Sequence, residues 1–207
     1  MNKKISLLLI ASCLSACSTH IKHDYIITDA SHDKKPVWVQ DVKKFEKKKE
    51  NEADKYKYFR AEGTSINKRL CEKSAIDNTN ITIAGEISTE IDNLYTGVVN
   101  VSGEESLVSD DKKEQTKTLI KNNLSGVEPR EGYWEKRKYS TELGADKDKV
   151  VYYCYQLSRV KRDTHNKIIN EMINKNLKKI KDEDAKEEAK KIVEENAKKS
   201  DVDINVK

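Results

Sequence analysis

YKYFRAEG at residues 56–63, followed at once by TSINKRLCEKSAIDNTNITIAGEISTEIDNLY at residues 64–95, decides the fold. The first eight residues are rich in aromatics and end in glycine, the composition of a strand. Thr64 or Ser65 is a suitable N-cap for a helix beginning directly after it. Over residues 66–95, Ile76, Ile83, Ile87, Ile91 and Leu94 recur at intervals of 7, 4, 4 and 3, which keeps one helical face apolar. Leu70, Ala75 and Ala84 widen that stripe. Gly85 in its middle costs about 1 kcal/mol against alanine and is expected to let the helix pack closely on a sheet. A long helix with Cys71 near its start is therefore the predicted central element.

The sheet it needs is found downstream. VVYYCYQLSRV at 150–160 is the plainest strand in the chain, and residues 126–140, with Val127, Tyr133, Trp134 and Tyr139, supply another. The turn-rich TELGADKDK at 141–149 joins them as an antiparallel pair. Along 150–160 alternation puts Val151, Tyr153, Tyr155 and Leu157 on one face and Tyr152, Cys154 and Gln156 on the other. The first of these is expected to face the core. Val98, Val99 and Val101 suggest an extended segment. Residues 104–124 suggest a second helix, with Leu107, Thr118, Leu119 and Leu124 as its apolar positions. The predicted class is α+β: a long helix packed on a small antiparallel sheet.

From Lys161 the pattern is helical again, with Ile169, Met172, Ile173, Leu177 and Ile180 forming a stripe for the domain or for a neighbouring copy. Beyond Lys181 the chain reads KDEDAKEEAKKIVEENAKKS. Glu187–Lys191 and Glu195–Lys199 are favourable i,i+4 pairs, and Ala185, Ala189, Ile192 and Asn196 make a thin seam. An exposed charged helical tail over 176–207 is expected.

The N-terminus carries a different kind of signal. A basic head with Lys3 and Lys4 precedes the apolar run Ile5 to Ala11 and the small residues at 15–16. This is the layout of a secretory signal peptide. Leu14-Ser15-Ala16-Cys17 resembles the lipobox of bacterial lipoproteins. That resemblance implies cleavage between Ala16 and Cys17, with covalent diacylglycerol and N-acyl lipid on Cys17. Residues 1–16 would be removed, and 17–35 would be a lipid-anchored tether. Its His20, His23 and His32 match no tight metal motif. The domain proper would span 36–175, opening on Pro36-Val37-Trp38-Val39, with Trp38 closing one end of the core. Ser18 after the lipidated cysteine resembles the outer-membrane sorting class, implying a lipid-anchored protein on the periplasmic side.

Charge and cysteines bound the rest. The chain has 40 basic and 36 acidic side chains, and losing Lys3 and Lys4 leaves 38 against 36. So small an excess argues against nucleic acid as a partner. The apolar runs after the signal fall short of a membrane span, leaving the lipid as the membrane contact. Cys71 and Cys154 remain after processing. Export permits a disulfide between them, which would stabilise by roughly 4 kcal/mol, and two separate buried thiols are the equal alternative.

The order of these motifs resembles a family. A Pro-x-Trp knot, a strand ending in Ala61-Glu62-Gly63, a long helix, a strand leading to Trp134 and a Tyr-rich last strand are similar to the Lpp-twenty family of small outer-membrane lipoproteins. The likeness covers about residues 36–175. It implies a compact α+β domain, no enzymatic activity and assembly with copies of itself or with envelope and flagellar proteins. Lys73-Ser74-Ala75-Ile76-Asp77-Asn78 departs from the family's alanine-rich helix. Ser/His/Asp, HExxH, CxxC and Gly-rich phosphate patterns do not occur in the sequence, so neither a catalytic set nor a metal or cofactor site is nominated. The expected role is structural or assembly-related. The alternative is a periplasmic adaptor reaching a partner protein or peptidoglycan through its C-terminal helix. A third reading, a hydrolase, would require a deep pocket of convergent polar groups.

Overall fold

The structure, a computed structural model, describes residues 23–98, 126–200 and 203–204. The signal segment, Ala16, Cys17, the valines at 99 and 101 and the helix expected at 104–124 lie outside the described residues. The fold is α+β. Its elements are β1 (Tyr25–Ala30), α1 (Val37–Gln40), α2 (Val42–Lys48), α3 (Glu50–Ala53), β2 (Tyr56–Ser65), α4 (Lys68–Leu94), β3 (Glu128–Tyr139), β4 (Lys149–Lys161), α5 (Arg162–Leu177) and α6 (Glu183–Ser200). The four strands form one antiparallel sheet in the order β1-β3-β4-β2.

Helix α4 lies along one face of this sheet, and the register explains where. Gly63 of β2 is opposite Cys154 of β4, which is opposite Trp134 of β3. A Cβ built on Gly63 would sit 2.5 Å from both the Cys71 carbonyl oxygen and the Ala75 nitrogen. The helix backbone therefore rests directly on the strand, and only glycine leaves the room. Gly85, expected to serve this purpose, has nothing within 4 Å of its Cβ position. Gly63→Ala should destabilise by about 2 kcal/mol through overpacking against immovable backbone, measured by urea denaturation. Gly85→Ala should be neutral or stabilising.

The helix begins later than expected. Ser65 is the last residue of β2, and Asn67 caps α4 by accepting from the Leu70 N–H at 3.2 Å. Its buried stripe is Cys71, Ala75, Thr79, Ile83, Ala84, Ile87, Ile91 and Leu94. Ile76 and Leu70 fall outside it and are exposed, because the stripe follows the small residues that fit against the strand.

Both faces of β4 are covered, so the expected core face is one of two. Tyr152, Cys154 and Val160 turn toward α4, while Tyr155 and Leu157 pack with Trp38, Val39, Tyr58 and Tyr133 under α1 and α2. The alternation along β4 separates two cores rather than a core from solvent.

Two further expectations are overturned. Residues 25–30, assigned to the tether, form the edge strand β1, paired with β3 from Tyr25↔Tyr139 to Ala30↔Glu135. The C-terminal tail is not an exposed arm. Ala189, Val193 and Ala197 of α6 are buried with Ile83, Ile91 and Leu94 of α4 and with Ile169, Met172 and Ile173 of α5. Asn196 fixes the contact by donating to the Leu94 and Thr96 carbonyls at 3.0 and 3.1 Å. The expected Ala185, Ala189, Ile192 and Asn196 all lie on this contact, and Val193 and Ala197 complete its buried centre. Glu183 pairs with Lys186 and Glu187 with Lys190, three residues apart rather than four.

Candidate functional site: a buried ionisable cluster and an arginine–tyrosine face

Cys71 and Cys154, the two cysteines nominated from sequence, are joined by a disulfide with a Cα separation of 5.7 Å. It links the first turn of α4 to the central strand beside Gly63, whose carbonyl oxygen lies 3.4 Å from the Cys71 sulfur. His23 and His32, from the expected tether, flank β1. Each of them lies near a tyrosine: His23 by Tyr25 and His32 by Tyr133, with ring centroids 5.0 and 6.3 Å apart. Among the described residues no group of three His, Cys, Asp or Glu side chains comes together as metal ligands. No described helix is long and apolar enough to cross a membrane.

The structure also assembles groups that no motif announced. An open cleft of about 760 Å³ runs between α1–α2 and α4, with β2 as its floor. Lys57 of β2 reaches Glu90 of α4 in an ion pair. The other Glu90 oxygen lies 2.8 Å from Nε2 of His165, at the start of α5. Glu86 lines the cleft one turn earlier on α4. Burial sets the chemistry of all three neighbours of Glu90. It pushes the Lys57 ammonium down to about 8, against the pull of Glu86. It raises the Glu86 carboxyl, with Lys57 opposing. Burial, and then the Lys57 charge, push His165 down to about 4.

Such a set could move a proton; Lys57 is already paired with Glu90, while Glu90 Oε2 and His165 Nε2 face each other in the interior without a hydrogen bond. Glu90 accepts Lys57 on one oxygen and faces His165 with the other. His165 is only 2% exposed and packs near Phe59, with ring centroids 6.2 Å apart. A histidine with a depressed folded value is neutral in the fold and charged in the unfolded chain below about pH 6.5. Its contribution is therefore complete at neutral pH and is lost as pH falls from about 6.5 through about 4. The His165 ring-proton resonances should accordingly hold their neutral positions from pH 7.5 down to 5. A midpoint near 6.5 would show that the cluster is open to water.

The opposite face of the sheet carries the second assembly. Glu135 of β3 is fully buried, yet Lys35 and Arg137 hold its carboxyl below the ordinary carboxylate value against the effect of burial. Lys35 lies 2.9 Å away, Arg137 donates its Nε at 2.7 Å, and the Tyr133 hydroxyl donates at 3.2 Å. Arg137 is itself stacked between rings, 3.7 Å from the Tyr153 centroid and 4.4 Å from that of Tyr25, and it donates to the Tyr155 hydroxyl at 3.2 Å. Cation–π contacts of this kind contribute about 1 kcal/mol each when partly desolvated. Nearby, Trp38 donates to Glu131 at 2.9 Å. The network binds β1 and the chain at Lys35–Trp38 onto β3 and β4.

No protein-family model, curated protein or solved structure matches this chain. Its function is therefore read from its own residues. Sequence reasoning missed both assemblies, since Glu86, Glu90, Glu135 and Arg137 look like ordinary surface charges. The i,i+4 spacing of Glu86 and Glu90 and the i,i+2 spacing of Glu135 and Arg137 were the only signals.

Proposed function

We propose that this chain is a lipid-anchored protein of a bacterial cell envelope, held in the outer membrane on its periplasmic side, with a non-catalytic structural or assembly role. The observation that carries the reading is Leu14-Ser15-Ala16-Cys17 at the end of a basic, then apolar, leader. Cleavage before Cys17 and acylation of its sulfur and amine would make the anchor, and two or three chains hold where one is marginal. The disulfide between Cys71 and Cys154 supports export, because such bonds persist in oxidising compartments. The Lys57–Glu90 ion pair supports a structural role, because it ties β2 to α4. The resemblance to the Lpp-twenty lipoproteins belongs to the same proposal.

The assembly role is preferred to an adaptor working through its C-terminal helix. The apolar seam of α6 is buried against α4 and α5, so a partner would meet mostly charged side chains. Contacts with further copies, or with envelope and flagellar assembly proteins, would fall elsewhere on the domain. Light scattering of the lipidated protein in mild detergent tests this. A defined oligomer is expected, and a monomer at all concentrations would count against the assembly role.

A further inference from the structure

We propose that the end of the domain bearing the β3–β4 turn rests on the membrane surface, with an anionic phospholipid bilayer as its partner. The inference depends on the lipid-anchor reading of Cys17 and adds to it an orientation and a contact face. Chain geometry supplies the first argument. The described fold begins beside that turn: Tyr25 opens β1 opposite Tyr139, which is opposite Lys149, and the Asp24 carbonyl accepts from the Ser140 N–H. Tyr25 is eight residue steps from Cys17, a reach of at most about 28 Å even when fully extended. The N-terminus of α4 stands at the same end, since Ser65 at the close of β2 pairs with Tyr152.

The surface chemistry of that end is the second argument. Nine large apolar residues are exposed among the described residues, and six of them stand here: Ile26 (52%), Ile27 (49%), Ile66 (82%), Leu70 (59%), Leu143 (43%) and Val150 (41%). Ile26 and Val150 flank Lys138 on one rung of the sheet. Aromatic rings lie behind them, each with a lysine amine above it. Lys68 is 4.0 Å from the Trp134 centroid, Lys149 is 4.7 Å from Tyr139, and Lys136 is 5.6 Å from Tyr152. Aromatic rings with lysines at their edge suit the headgroup layer, where the ring sits at the interface and the amine meets phosphate.

Asp24, Glu142, Asp146 and Asp148 stand at the same end. Asp148 is taken up by the Thr141 N–H and hydroxyl at 2.7 and 3.0 Å. With charge of both signs present, the contact is carried first by the apolar and aromatic side chains and second by the lysines. At the far end of the sheet, around Val160, apolar groups are instead buried under α5 and α6.

The test uses the full chain, processed and lipidated by its host, in vesicles of phosphatidylethanolamine and phosphatidylglycerol containing acyl-chain-brominated phosphatidylcholine. Leu143→Trp places a reporter on the proposed face. Ile81→Trp places one on α4, about 20 Å farther along the helix from its first turn. Each is read against the parent protein's own tryptophans. The acyl-chain bromines are expected to lower the added Leu143→Trp emission at least about twofold and to leave that of Ile81→Trp nearly unchanged, as for side chains buried about 5–10 Å into the boundary. Equal quenching at the two positions, or none at either, with the lipid mass present on Cys17, would overturn the docking alone. A second copy seated on this face would give that same absence of quenching. A missing lipid mass on Cys17 would overturn the anchor and the docking together.

Discussion

Cys71→Ala combined with Cys154→Ala is expected to cost about 4 kcal/mol of stability. The disulfide closes a loop with a sequence separation of 83, and a cross-link of that span removes about 4–5 kcal/mol of chain entropy from the unfolded state. Packing adds to the effect. Both cysteines are buried, and with Ala75, Trp134 and Tyr152 they form the contact where α4 meets the sheet. Urea denaturation of the double variant, beside the parent with and without dithiothreitol, checks this. Reduction should reproduce most of the loss, because the thiols would stay in place. A loss below about 1 kcal/mol would mean that the bridge constrains little of the unfolded chain.

Glu135→Ala carries the other large effect, a loss of about 3–5 kcal/mol, as when one partner of a buried ion pair is removed. The variant would leave Arg137 stacked between Tyr25 and Tyr153 without its carboxylate, and Lys35 without its partner. Glu135→Gln keeps the volume and some hydrogen bonds, so it should lose less. Acid titration offers an independent reading of the same group. Burial alone would raise the Glu135 carboxyl, but hydrogen bonds from Lys35 and Arg137 outweigh it and hold the carboxyl below its ordinary value of 4.5. The stability it contributes is therefore present above about pH 4.5 and lost as pH falls through the lower, folded value. Glu135→Gln should show a shallower loss of stability below about pH 4.5 than the parent. Identical acid limbs would place the charge outside the network.

How far the fold could be read in advance depended on how each residue's burial arises. VVYYCYQLSRV and the isoleucine ladder of α4 are legible because a single period governs each. Small residues hide more. Gly63 ends an aromatic run and looks like a strand terminator, yet it sits mid-contact under Cys71 and Ala75. In α6, Ala189, Val193 and Ala197 are too slight to outweigh the surrounding lysines and glutamates, and they become core only because α4 and α5 offer a groove for them. β1 hides for a third reason. YIITDA is short, its two isoleucines are half exposed, and its pairing with β3 joins residues more than a hundred positions apart.

The buried charges were the least legible of all. In a chain with 37% charged residues, any two carboxylates can be paired on paper. Lys57 with Glu90 and Glu135 with Arg137 are distinguished only by the packing that removes their water. The lipobox lies at the other extreme. Its residues are read by processing enzymes as a linear string, so no fold is needed to recognise them.

The lipid anchor is open to direct measurement at that same string. The protein purified from its host membrane should be digested and the mass of its N-terminal peptide measured. The prediction is a peptide beginning at Cys17 and carrying diacylglycerol together with an amide-linked acyl chain. A peptide that retains residues 1–16, or an unmodified Cys17 in a correctly folded and exported chain, would contradict the lipid anchor and the envelope role built on it.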